Sequence, residues 1–205
     1  MKIEKNFTYI YFYVTLPILL ISIFILIFPY RLLSTDISVS TDIAIVEGWM
    51  DDYELKAVAE QLRGGDFSKV FTTGVMIEKG KMFYPVGSWA ELCEIQLNSM
   101  LTEEISIIPI ISDAKENRTL SSAKDAFHEI RKHSEITSFM IFTSEIHSRR
   151  TFITYKRIFP EKYSIGVYPV GNLVYNKDSY KHSSYGMKKV ITELVAFFYH
   201  TIFRR

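Results

Sequence analysis

The chain has 205 residues, with 24 Lys plus Arg against 23 Asp plus Glu, a balance that excludes general electrostatic attraction to a nucleic acid polymer. Its single cysteine, Cys93, excludes an intrachain disulfide framework and a cysteine zinc site; within Trp89-Ala-Glu-Leu-Cys-Glu-Ile-Gln-Leu it reads as a small buried apolar residue. Beyond an apolar first part, about 170 residues are left, the size of one ordinary domain with one core.

The first element is an anchor. Asn6 to Tyr30 is a run of 25 residues without a charge, and helical rise makes such a run roughly 37 Å long, enough to cross a bilayer with some tilt. Tyr9, Tyr11 and Tyr13 crowd one end and Tyr30 marks the other, as amphipathic rings do at a lipid interface. Phe28-Pro29-Tyr30-Arg31 offers no small-residue cleavage site, so the run reads as an uncleaved transmembrane signal anchor over residues 1–33. Lys2 and Lys5 precede it, while Arg31 is followed by Asp36 and Asp42. The positive-inside bias favours a cytoplasmic N-terminus, a single pass and an extracytoplasmic domain.

A polar, turn-prone linker spans residues 34–41, and the α/β domain occupies 42–205. Asp42 to Val46 is the first short apolar run and reads as a buried strand. Asp51 to Arg63 carries Leu55, Val58, Ala59 and Leu62 at helical spacing and stops at Gly64-Gly65. Strands follow at Lys69–Thr73, Ile105–Ile110, Thr137–Phe142 and Tyr163–Tyr168, with helices at about Ser88–Met100, Leu120–Lys132 and Met187–Phe203. Pro109 implies a third strand that is short, irregular or near an edge. Strands alternating with helices predict right-handed crossovers and a three-layer, Rossmann-like domain with a mostly parallel sheet. In the last helix Val190, Leu194, Phe197, Phe198 and Ile202 form an apolar stripe that can pack on the sheet or dock on a membrane, and core packing is expected.

In open parallel sheets ligands sit outside the carboxyl ends of the strands, so the residues that follow each strand carry the functional reading. They are Glu47-Gly48-Trp49, Gly74, the stretch Ser112–Thr119 with Asn117-Arg118-Thr119, and Thr143-Ser144-Glu145-Ile146-His147-Ser148-Arg149-Arg150. The last of these opens a helix, whose free N–H groups and dipole favour an anion, and arginine adds a planar fork matched to phosphate or carboxylate. Gly48 and Gly74 serve equally well as turn residues, Trp49 as a core cap and Thr119 as a helix N-cap.

The order Gly74, Ser88-Trp-Ala-Glu91 opening a helix, Asn117-Arg118-Thr119 with Ala123, and Thr143-Ser144 with His147 and Arg150 resembles the YdcF, SanA and ElyC proteins over about Asp42 to Phe203. The resemblance implies a Rossmann-like domain, often behind a membrane anchor, and a link to bacterial envelope integrity and lipid-carried precursors. Two departures stand out: Glu47-Gly48-Trp49 replaces a glycine-rich turn, and Ser122 stands where asparagine is frequent. A carboxylate near the first strand repels phosphate unless a cation or hydroxyl lies between.

The expected function is therefore an envelope-associated protein that binds a phosphate-bearing or otherwise anionic small molecule. Arg150, Arg118 and the N–H groups around Ser144 would hold it, with Gly48, Gly74 and Thr119 shaping the crevice. His147 is the candidate catalytic acid or base, since imidazole titrates near neutrality, and Glu91 or Glu47 would orient it. Glu47, Glu91, Glu145 and His147 lack the spacing of a metal motif, Ser144 lacks a nucleophile elbow, and no cofactor is specified. The non-enzymatic alternative, an anchored binding or scaffold module for an envelope component, stands beside the enzyme. Glu193 faces either crevice or solvent, and Tyr175, Tyr180, His182 and Tyr185 form either a lid or aromatic surface.

Overall fold

The computed structural model describes residues 13–20, 29–78, 84–101, 105–115 and 117–203. Its elements are α1 (Pro29–Leu33), β1 (Ile43–Glu47), α2 (Asp52–Gly64), β2 (Lys69–Val75), α3 (Trp89–Met100), β3 (Ser106–Ser112), α4 (Arg118–Ile130), β4 (Ser138–Ser144), α5 (Ser148–Ile158), β5 (Ser164–Val170) and α6 (Ser184–Phe203). The five strands form one all-parallel sheet in the order β3-β2-β1-β4-β5. Strand order reverses at β1, which creates a crevice between the carboxyl ends of β1 and β4.

The strands are apolar on both faces because helices cover both. Ala44, Val46 and Val70 meet Leu55, Val58, Leu62, Cys93 and Leu97 of α2 and α3. On the other side Ile45, Phe71, Phe139 and Ile141 meet Ala123, Ala126, Ile130, Tyr155 and Phe159 of α4, α5 and its C-cap. Continuous apolar runs are what such doubly covered strands require. Pro109 does lie on an edge strand, where a missing N–H is tolerated, although β3 runs for seven residues. Burial also pushes the Cys93 thiol well up, so it stays protonated within the core.

Each strand extends one or two residues past the apolar run that identifies it, so Glu47, Gly74 and Ser144 belong to strands and not to the loops after them. At the ends of β1 and β4 buried partners accompany the extension, Thr143 donating to Glu47 and Ser144 to Glu54. The two glycines answer to α3. A Cβ on Gly74 would sit 2.6 Å from the Ala90 nitrogen, and one on Gly48 2.5 Å from the Trp89 oxygen. They let the first turn of α3 lie directly on the sheet.

Residues 34–41, read as a linker, are docked. Ile37 pairs antiparallel with Val167 through N–H···O bonds of 3.0 and 2.8 Å, covering part of the edge strand β5. The Arg149 guanidinium donates to the Ser34 carbonyl at 3.0 Å, and the Thr35 N–H donates to Ser148 Oγ at 2.8 Å. Tyr30 and Leu33 of α1 join Val190 and Phe197 of α6, Ile146, Tyr175 and Tyr180 in a third apolar cluster. The expected stripe of α6 therefore divides: Val190 and Phe197 are buried, Leu194 and Phe198 half-buried, and Ile202 exposed. Of the uncharged run, residues 6–12 and 21–28 lie outside the described residues, and among the described residues no helix is long and apolar enough to cross a membrane.

Candidate functional site

A cavity of about 530 Å³ opens at the carboxyl ends of the strands. Four strand ends converge on it as expected: Glu47 and Trp49 after β1, Thr73 and Gly74 of β2, Asn117, Arg118 and Thr119 after β3, and Ser144, His147 and Arg150 after β4. The fifth strand adds Asn172 and Tyr175, and α6 closes one wall with Lys189, Thr192 and Glu193.

His147 sits at the centre, 4 % exposed, at the end of a 3₁₀ turn that leads from β4 into α5. Its Nδ1 lies 3.0 Å from Glu193 Oε2, and Arg150 binds the same carboxylate with both edges of its fork, Nε to Oε1 at 2.6 Å and Nη2 to Oε2 at 2.9 Å. Nη2 also lies 2.9 Å from Nδ1. A guanidinium only donates, so when Nδ1 carries the proton it and Nη2 share the Glu193 carboxylate as common acceptor. On the ring's other side Thr119 Oγ1 accepts from Arg150 Nη1 at 3.2 Å and lies 3.4 Å from His147 Nε2. With Nδ1 protonated, the polar chain runs from Arg150 N–H to the Thr119 hydroxyl, from that hydroxyl to Nε2, and from Nδ1–H to Glu193. Trp49 meets the imidazole edge-on, with centroids 4.8 Å apart.

Three carboxylates occupy distinct environments. Burial acts to raise Glu193, but its interactions with His147 and Arg150 outweigh it and hold the carboxyl down at about 2. Glu47, 2 % exposed, accepts from the hydroxyls of Thr143 and Thr151 and lies 3.7 Å from His147 Nε2. Glu47 thus lines the cavity as a carboxylate bonded from behind by hydroxyls that are not themselves part of the lining. Burial raises Glu54, and the hydrogen bonds from the Ser144 hydroxyl and the Asp51 N–H only partly counter it. Burial likewise pushes the Tyr175 hydroxyl up, so it is a neutral phenol.

Several sequence assignments change. Glu91 does not line the cavity; it completes a capping box with Ser88, the Ser88 N–H donating to its Oε2 at 3.0 Å, so Glu193 and not Glu91 orients His147. Gly48 also lies outside the lining and serves the approach of α3. The Ser144 hydroxyl is turned to Glu54, and the Arg150 fork is closed by Glu193 rather than open to an outside anion. Thr119 is inside α4 and not its N-cap, which is Asn117 in the left-handed region at φ 55°, ψ 40°. The solvent-facing cations are at the mouth: Lys115 and Lys189 are exposed, Lys189 with its ammonium 5.4 Å from the Tyr185 ring centroid, and Arg118 has a 3.7 Å, solvent-exposed pairing with Glu78.

Sequence reasoning missed Glu54, Lys115, Asn172 and Lys189 as lining residues and left Glu193 and Tyr175 open. Lys189 and Glu193 are four apart on a helix next to an apolar stripe, a spacing that puts both on one face. Among the described residues no group of three His, Cys, Asp or Glu side chains could hold a metal ion. Comparison with protein-family models, curated proteins and solved structures finds no match.

Proposed function

We propose that this protein is a membrane-anchored, envelope-associated member of the YdcF, SanA and ElyC group that binds a phosphate-bearing or otherwise anionic small molecule in the cavity, with His147 as its acid or base. The observation that carries the reading is the pairing of a buried histidine, held by Glu193 at Nδ1, with a mouth rimmed by Lys115, Arg118 and Lys189. Cations at the mouth favour the approach of an anion, whose far groups then reach the ring. Nε2 takes a proton from a nucleophile or, once protonated, returns one to a leaving oxygen, and the Glu193 carboxylate stabilises the imidazolium formed between these steps. The uncharged run from Asn6 to Tyr30 supports the anchor, and the two lysines before it support an extracytoplasmic domain.

The test uses the full chain in detergent micelles, with thermal stabilisation read against pyrophosphate, nucleotides, sugar nucleotides, polyprenyl phosphates and divalent metals. One phosphate class should stabilise the protein, less so after Arg118→Ala. His147→Gln should keep binding and lose turnover of that ligand. Binding that survives in His147→Gln, with no turnover in either protein, selects the non-enzymatic binding module. No stabilisation by any anion removes the ligand reading.

A further inference from the structure

The last helix has two apolar faces, and among the described residues one of them packs on the domain. Val190 and Phe197 are buried against α1 and the loop before the helix, and Glu193 reaches the cavity from the same side. On the opposite side Ile191, Val195, Ile202 and Phe203 are 52, 64, 59 and 72 % exposed. The spacing of Ile191, Val195 and Ile202 keeps them on one line along the helix, a repeat of four and seven residues. Tyr199 lies within that line and packs its ring 5.4 Å from that of Phe203. Scattered apolar residues on a surface need no explanation, but a stripe along about three and a half turns does.

We propose that this outer face of α6 lies on the phospholipid bilayer, beside the point where the N-terminal anchor leaves it. The inference rests on the anchor reading for its geometry. The uncharged run ends at Tyr30, and Tyr30 and Leu33 are seated on α6 itself against Val190 and Phe197. Whatever surface holds the run is thus brought to the helix that carries the stripe. The flanking charges match an anionic lipid surface: Lys188 is exposed at the N-terminal end of the helix, and Arg204 and Arg205 follow its C-terminal end in sequence. Basic side chains at the ends of an interfacial helix extend their stems along apolar surface and place their charges among headgroups. An in-plane amphipathic helix has this pattern of an apolar line bordered by cations. The same helix carries Lys189 and Glu193 into the cavity, so the bilayer and the site share one structural element.

Depth measurements by spin labelling test the proposal. The full chain is reconstituted in vesicles of phosphatidylcholine with phosphatidylglycerol, and single cysteines are introduced as Val195→Cys, Ile202→Cys, Leu19→Cys and Glu161→Cys. Cys93 is fully buried and stays unlabelled. Leu19 reports the anchor and the exposed Glu161 reports water. Labels at 195 and 202 should collide more with oxygen than with a water-soluble nickel chelate, reversing the ratio at 161. A lipid-like label at 19 with water-like labels at 195 and 202 overturns the proposal and leaves the anchor standing. Low collision with both reagents at 195 and 202 also overturns it, because it shows protein cover from a second copy or from this chain. Lipid-like labels at 195 and 202 with a water-like label at 19 support the docked helix and overturn the anchor.

Discussion

The floor and the rim of the cavity are both polar, yet they are organised in opposite ways. On the floor Glu47, Glu54, Ser144, Thr143 and Thr151 are buried and bonded to one another, and Arg150 and Glu193 close on each other beside His147. At the rim Lys115, Arg118 and Lys189 face solvent. The difference teaches that an arginine placed by motif at a site need not be the one that meets the ligand. A buried charge must be paired within the protein, so the inner cation is committed to positioning, whereas outer cations are free to exchange water for a ligand.

The largest effect should come from breaking the floor. Arg150→Ala strands the Glu193 carboxylate, and the loss should be about 3–5 kcal/mol in denaturant unfolding. Pairing Arg150→Met with Glu193→Gln should recover most of it; a double variant as unstable as the single one would show that Arg150 acts through packing instead. Gly74→Ala comes next, at about 1–3 kcal/mol, because the new methyl meets the backbone of α3 rather than a movable side-chain tip.

Two carboxyls of the cavity sharpen the contrast through pH. Glu193 is held down at about 2, below the ordinary 4.5, so its contribution is complete above 4.5 and is lost as pH falls toward 2. Glu54 is raised above 4.5, so the sign reverses: its protonated form fits the fold, and stability falls as pH climbs through its raised value. Glu54→Gln should flatten that alkaline-side loss in thermal melts across pH while leaving the acid limb intact. An unchanged slope would mean that Glu54 is no better fitted protonated than ionised.

The smallest stability effect belongs to the rim. Arg118→Ala should change unfolding by no more than about 0.5 kcal/mol, as surface substitutions do, while weakening whatever anion stabilises the protein. Equal anion response in wild type and variant would move the contact to Lys115 or Lys189.

The amino-acid pattern by itself determined the alternation of strands and helices and the parallel sheet, because strands covered on both faces read as near-continuous apolar runs between helical patterns. It also placed His147, Thr119 and Arg150 at the carboxyl end of the sheet, since each follows a strand, but the meeting of Thr119 after β3 with the pair after β4, across two intervening strands, was decided by the tertiary structure. Only the tertiary structure decided their partners. Glu193 lies 43 residues from Arg150 and reaches it because α6 forms one wall of the cavity, while Glu91 accepts from the N–H and hydroxyl of Ser88, the N-cap of its own helix. Which hydroxyls face inward was equally undecided by sequence: Ser144 and Thr143 are adjacent in β4, where successive side chains point to opposite faces, and they serve Glu54 and Glu47 respectively. Local pattern sets the elements through periodicity; pairing across long separations depends on how those elements dock, and a single sequence does not encode that in any local spacing.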